Sequence, residues 1–384
     1  MIAPFPYLRP AFVLLLLALA FVSNARAGDK PWPLAEATPL SPDAYYRVNC
    51  SARGLAGLHS PDDKSPVTWE STDEWREYQQ KLDGQWRYLD RVRLNAMRSW
   101  SNAELSGLRS DSRIVFYPFS GPDVLYADTL FPHSKVLLMA GLEPVGTMPD
   151  LAQLQRDGRL GSYLAQVKTS LFTILAASFF KTKDMKTDFN NQLVDGLIPA
   201  IAVFLAREGY TIDSLRYVTL SRDGTVHPRG EASGAPGVQI ACFRGDRDDM
   251  QCVLYFQADL GNDGLHENPG YVNLMHRLGP GITYLKAASY LLYEDYFSTI
   301  RNGILDNSLG VVEDDSGIPF RYFNPTQWNV VPYGHYTGPI PLFKEHDQAD
   351  LADFYARSSP MPLTFGSGYK FTAANSSLIV AKKK

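Results

Sequence analysis

Apolar positions change period several times along this chain, and each change marks an element. Trp75, Tyr78, Leu82, Trp86, Leu89, Ala96, Met97 and Trp100 recur at helical spacing behind the capping-box string Ser71-Thr72-Asp73-Glu74. They predict a long helix with a wide aromatic face that packs on the body of the protein, weakened at its middle by Gly84. A shorter helix is expected over 102–108. The pattern then switches to short, continuous apolar runs at 114–117 and 136–140, read as strands buried on both faces, with helical spacing over 123–130 between them. A βαβ unit this compact implies parallel strands joined by a right-handed crossover. Further helices are expected over 151–155, 162–180 and 193–208, the last ended by Gly209. Residues 214–221 read as a strand. Residues 238–244 and 250–256 read as a hairpin around Gly245-Asp246-Arg247-Asp248-Asp249. The spacing gives helices over 284–293 and 296–307, a buried strand at 310–313 and a final strand at 327–333. Helices alternating with short apolar strands point to an α/β fold. The expected layout is a three-layer Rossmann-like sheet, mostly parallel with one antiparallel hairpin, preceded by an N-terminal helical arm.

The first 27 residues follow a different rule. Arg9 precedes twelve uninterrupted apolar residues at 11–22, and Ala25-Arg26-Ala27 supplies a small-x-small cleavage pattern, as in a secretory signal peptide. Twelve apolar residues fall short of the roughly 20 that cross a hydrocarbon core, so no stable membrane insertion is expected after cleavage. The expected location is periplasmic or secreted. The organisation is then a signal peptide at 1–27, an arm with the long helix at 28–112 and a Rossmann-like domain at 113–384. Within the arm, residues 28–70 are rich in Pro, Ser and Asp and are expected to be irregular.

Without the signal the chain carries 35 basic against 41 acidic side chains, with no basic stripe, which argues against nucleic acid as a partner. Lys382-Lys383-Lys384 reads as a frayed, solubilising end. The 21 Tyr, 20 Phe and 6 Trp suit broad core packing or an aromatic ligand groove. Three cysteines allow one disulfide. Cys242 and Cys252 each lie five residues from Arg247, so a symmetric loop would set them opposite each other, within bridging distance in an oxidising compartment. The alternative is two reduced core cysteines, and Cys50 is expected to be single and buried.

Tyr117-Pro118-Phe119-Ser120-Gly121-Pro122-Asp123 stands after a buried strand and before a helix, and resembles the first motif of class I methyltransferases in its Pro-Phe-Ser-Gly form. Glu143, after the next strand, matches the acid that holds the ribose hydroxyls of S-adenosylmethionine in that family. The resemblance covers 113–145 by motif and 113–335 by element order, and implies cofactor contacts at Gly121, Asp123 and Glu143. The order of segments is also similar to that of a group of exported bacterial proteins of uncharacterised function that share FYPFSGPD- and DDSGIPFRYF-like stretches. Tyr117 and Pro122 depart from the methyltransferase pattern, where a carboxylate and a small residue are usual. Export also separates the chain from cytosolic S-adenosylmethionine. The reading that follows is a methyltransferase-like scaffold whose cofactor site is lost or repurposed, binding a small molecule or a protein partner at the strand carboxyl ends, with no cofactor named.

Two other chemistries remain open. Ser120, Asp315 and His335 fall in the chain order of an α/β-hydrolase triad, although Phe-Ser-Gly-Pro is not Gly-x-Ser-x-Gly and a serine in such a turn also serves as a helix cap. The acidic run Glu313-Asp314-Asp315 follows a buried strand, where open α/β sheets place ligands. It equally suits an Asp-rich turn neutralised by Arg321. His335 stands on a Gly-flanked loop among aromatics as a base or a backbone donor. His266-Glu267 adds a pair, and His227 and His346 are expected in solvent. No His-x-x-x-His or His-Glu-x-x-His spacing is present, so no metal site is expected.

Overall fold

The computed structural model describes residues 38–61, 67–177 and 194–384, all within one compact unit. The expected signal peptide at 1–27 lies outside the described residues, as does the end of the helix expected over 162–180. Ten strands form one sheet: β1 (Ile114–Tyr117), β2 (Val136–Gly141), β3 (Thr211–Leu220), β4 (Val226–Pro228), β5 (Ala235–Phe243), β6 (Gln251–Gln257), β7 (Gly281–Leu285), β8 (Ser308–Glu313), β9 (Trp328–Gly334) and β10 (Ser377–Lys383). Their order is β4-β3-β5-β6-β2-β1-β7-β8-β10-β9. The five central strands, β6-β2-β1-β7-β8, are parallel. Antiparallel strands extend both edges, where the sequence predicts a single hairpin. The chain steps outward from β1 through β2 to β6, returns to β7 and steps the other way to β8. The switch point between β1 and β7 is where such sheets open a ligand crevice at the strand carboxyl ends.

Alternating side chains of the central strands feed two hydrophobic clusters. Val115, Tyr117, Leu137 and Met139 belong to one cluster, Phe116, Val136, Leu138 and Ala140 to the other. The helices α1 (Pro42–Leu55), α2 (Asp73–Leu89), α3 (Asn95–Glu104), α4 (Ser106–Asp111), α5 (Val124–Leu130), α6 (Leu151–Arg156), α7 (Leu160–Ala177) and α8 (Ile198–Arg207) give their apolar stripes to the first. The second is covered by α9 (Asn262–Glu267), α10 (Gly270–Leu278), α11 (Ser298–Asn307) and α12 (Ala349–Arg357). Burial of each Leu or Phe in these clusters contributes about 1.5–3 kcal/mol.

The capping string starts α2 one residue later than a capping box on Ser71 and Glu74 would: Thr72 is the N-cap and accepts from the Trp75 amide at 3.3 Å, while the Ser71 hydroxyl donates to the Thr68 carbonyl, and Trp75, Tyr78, Leu82 and Trp86 are buried. Four expectations need correction. First, 42–55 is helical rather than irregular, and Asn49 clamps it to the sheet by bonding both the amide and the carbonyl of Ile212 at 2.9 Å. Second, residues 281–285 form β7, where helical spacing had suggested a helix from 284; a run buried on both faces carries no period to separate strand from helix. Third, Cys242 and Cys252 are both free thiols. The hairpin register pairs Cys242 with Gln251 and Cys252 with Ala241, one residue out of the symmetric arrangement, so successive-side alternation sends the two sulfurs to opposite faces. Fourth, the C-terminal lysines are not frayed. Lys382 and Lys383 belong to β10, which lies between β8 and β9, and the Lys383 ammonium donates to the carbonyls of Leu305 and Asp306 at 3.0 Å.

Candidate functional site

A crevice of about 260 Å³ lies at the switch point, walled by the segments that follow β1, β2, β6 and β7. Its sides are largely apolar, with Phe119, Leu142, Leu260 and Phe297 among them. The backbone around it is unusual. Among the described residues, five non-glycine residues adopt positive φ, and four of them follow β1 or β7: Phe119 (61°), Ala287 (51°), Ser289 (56°) and Tyr290 (56°). A left-handed L-residue costs about 1–2 kcal/mol, a strain that persists where surrounding contacts impose it and that gathers at functional sites. Here those contacts include Asp314 Oδ2 accepting from the Ala287 amide at 2.9 Å and Ser316 Oγ accepting from the Ala288 amide at 2.8 Å.

Glu143 sits at the end of β2 with 3% of its surface exposed and lines the crevice. Its main-chain carbonyl accepts from the Tyr255 hydroxyl at 2.8 Å, which fixes the turn. A Cβ on Gly141 would stand 2.5 Å from Glu143 Oε2, so the missing side chain of Gly141 makes the space the carboxylate occupies. Gly121 itself has φ of 52°.

The floor of the crevice carries a buried ion pair. Asp123 caps α5, accepting from the Tyr126 amide at 3.2 Å and from the Tyr117 hydroxyl at 2.8 Å. Its third partner is the Lys286 ammonium from the end of β7, which also lies 3.7 Å from the centre of the Tyr126 ring. Both charged side chains are only 3% exposed. Burial raises the Asp123 carboxyl above its ordinary range despite Lys286, and burial lowers Lys286 despite Asp123. The Tyr126 phenol is pushed up to about 12 by burial, against the pull of Arg93, which donates to its oxygen at 3.1 Å. Tyr117, standing where the methyltransferase pattern has a carboxylate, is a hydrogen-bond donor to Asp123 and is held protonated, by burial first and then by that neighbour.

The residues of the suggested triad are placed apart. Ser120 is in the crevice wall, but its hydroxyl donates to the carbonyls of Gly121 and Ala140 at 3.1 and 3.2 Å. Asp315 follows β8, accepting from the Tyr290 hydroxyl at 2.8 Å and pairing with Lys370 at 3.3 Å. His335 follows β9, is exposed, and donates its main-chain amide to the Ser376 carbonyl at 2.8 Å. β1 and β9 are four strand positions apart, about 19 Å at the usual strand spacing. Within the acidic run Asp315 is thus paired with Lys370, while Asp314 and Glu313 accept from the Ala287 and Ile318 amides and Arg321 lies over the Tyr322 ring instead. Among the described residues no group of three His, Cys, Asp or Glu side chains is placed to hold a metal ion.

The sequence reading brought Gly121, Asp123 and Glu143 to one place and missed Lys286 and the left-handed turn after β7. No protein family's model matches the chain, and no curated protein or solved structure matches it either.

Proposed function

We propose that this protein binds a small adenosine-bearing ligand in the switch-point crevice, with Glu143 accepting from the ribose hydroxyls and the apolar walls flanking the base. The observation that carries the reading is the buried Glu143 carboxylate set against Gly141, at the rim of a crevice that Gly121 also lines and whose backbone is strained on both sides. Helices against both faces of the sheet favour the three-layer Rossmann-like layout, with 28–112 as its N-terminal arm. Five parallel strands wound outward in two directions from β1 and β7 are the kind of frame the methyltransferase resemblance implies. On the pattern of residues 1–27, the mature chain works in the periplasm or outside the cell.

Methyl transfer from S-adenosylmethionine is the second reading, favoured by that strand order and by the Pro-Phe-Ser-Gly turn. The crevice floor speaks against it. Asp123 is already spent on Lys286 and Tyr117, and a buried ammonium beside the ligand disfavours a sulfonium cation. The hydrolase reading draws no support from the placement of Ser120, Asp315 and His335.

Thermal unfolding with adenosine, S-adenosylhomocysteine and S-adenosylmethionine tests this. Adenosine and the uncharged thioether should raise the unfolding temperature, by about 2.7 kcal/mol of stability at 100 times the Kd, and Glu143→Ala should abolish the effect. The sulfonium should bind more weakly. If none of the three shifts the transition of the wild-type protein, the adenosine reading is wrong; if the sulfonium binds tightest, methyl transfer replaces it.

A further inference from the structure

A second, larger cavity of about 510 Å³ opens at the other end of the parallel strands, where β1, β2 and β7 begin. Arg98, Arg109, Arg113 and Arg244 all line it. Two lining carboxylates are already matched one to one: Glu208 accepts from Arg98 at 2.9 and 3.2 Å, and Asp128 pairs with Arg244 at 2.5 Å while accepting from Tyr210. Arg98 has Asp90 as a second partner at 2.7 Å. Arg113 shares the single carboxylate of Asp249 with Lys135 and His133, at 2.8, 3.3 and 2.6 Å. Arg109 is different. Its guanidinium donates to the amide oxygen of Asn102 at 3.0 Å, and it makes no ion pair among the described residues. Burial lowers its affinity for its proton with no anion opposing the effect.

In and beside the cavity, five fixed cations (Arg98, Arg109, Arg113, Lys135 and Arg244) therefore face four carboxylates (Asp90, Asp128, Glu208 and Asp249), and the surplus sits on the wall at Arg109. Of the hydroxyls that line the same space, those of Ser110, Ser112 and Thr129 donate to the carbonyls of Ser106, Pro280 and Leu125 and keep their oxygens as acceptors, while that of Ser106 can donate to a ligand oxygen. His133, the fifth non-glycine residue with positive φ among those described (63°), forms part of the rim and gives its carbonyl to Arg113.

We propose that this cavity is an anion site, separate from the crevice, that takes a small molecule bearing a phosphate group. Guanidinium groups recognise phosphate through paired N–H donors, and Arg109 supplies a fork that no carboxylate among the described residues occupies. The hydroxyl oxygens around it can accept from a polar, sugar-like body on that phosphate.

The test is calorimetric titration of the mature protein with inorganic phosphate and with ribose 5-phosphate, in a buffer without oxyanions, alongside sodium chloride at matched ionic strength. Saturable phosphate binding is expected, tighter for the sugar phosphate, and weakened at least tenfold in Arg109→Gln. Asn102→Asp, which places a carboxylate against Arg109, should weaken it similarly, whereas Glu143→Ala should leave it unchanged and so separates this site from the adenosine crevice. Circular dichroism of each variant confirms that the fold is kept. Chloride reproducing the phosphate response, or Arg109→Gln and Asn102→Asp both binding as the wild type does, would overturn the proposal.

Discussion

Single side chains here carry the larger departures from ordinary chemistry. Glu313, at the end of β8, is 1% exposed, and the contact that holds its carboxyl is the Ile318 amide at 2.8 Å. Burial, with the adjacent Asp314 adding to it, raises its pKa well above the ordinary 4.5. The folded state thus keeps a proton that the unfolded chain gives up near pH 4.5. Its contribution to stability is fully present below that pH and is lost as pH rises toward the folded value. Glu313→Gln keeps an oxygen for Ile318 and removes the titration. The variant should match the wild type in acid and gain on it progressively above pH 5, read as unfolding temperature against pH; parallel profiles would show that Glu313 titrates in the fold much as it does in the unfolded chain. Asp123 is also raised, by burial first, but it is common to both proteins and cancels in the comparison; Asp314, raised by burial first as well, loses its charged neighbour in the variant, which adds to the gain above pH 5.

At the scale of elements, register decides what the residues can do. The β5–β6 hairpin sets Cys242 among one cluster and Cys252 against the other, and burial pushes the Cys252 thiol up to about 12. Neither thiol has the thiolate character or the partner needed to oxidise. Addition of a reducing agent should leave the unfolding temperature unchanged, and a maleimide reagent should label the denatured protein but not the native one at these positions. A drop on reduction would mean that the strands slip by one residue. This error shows where the sequence stops being informative. Periodicity placed β1 to the residue, and β2, α5 and the start of α2 nearly so, because each has a local signal in spacing or capping. Residue 281 onward has no such signal: β7 is buried on both faces, so Ile282, Tyr284 and Leu285 read equally well as helix. Lys286 was hidden with it. The crevice was therefore half legible, in the strand-turn-helix after β1 and the acid after β2, while its cationic floor depends on a pairing of distant strands that no local pattern records.

For the molecule as a whole, the sheet does two things at once: its carboxyl end opens the crevice and its amino end the arginine-lined cavity, so both sites depend on the parallel centre being held at its edges. β10 holds one of those edges although it is the last part of the chain. It pairs with β8 along Ile379–Lys382 positions and with β9 from Ser377 to Lys383, and it buries Leu378, Ile379 and Val380. At about 1.5–3 kcal/mol each, those three side chains alone contribute on the order of 5–9 kcal/mol, against a total stability of about 5–15 kcal/mol for a typical native protein. Removing residues 377–384 would also leave β8 and β9 with facing, unpaired edges, a template for aggregation. A chain ended at 376 should lose cooperative unfolding and appear in the insoluble fraction, whereas removal of Lys384 alone, which gives up the contacts of its amide with Gln327 and of its ammonium with Pro325, should cost far less. A soluble protein with the full-length transition after loss of 377–384 would mean that the terminal lysines fray after all and that β8 closes the sheet without them.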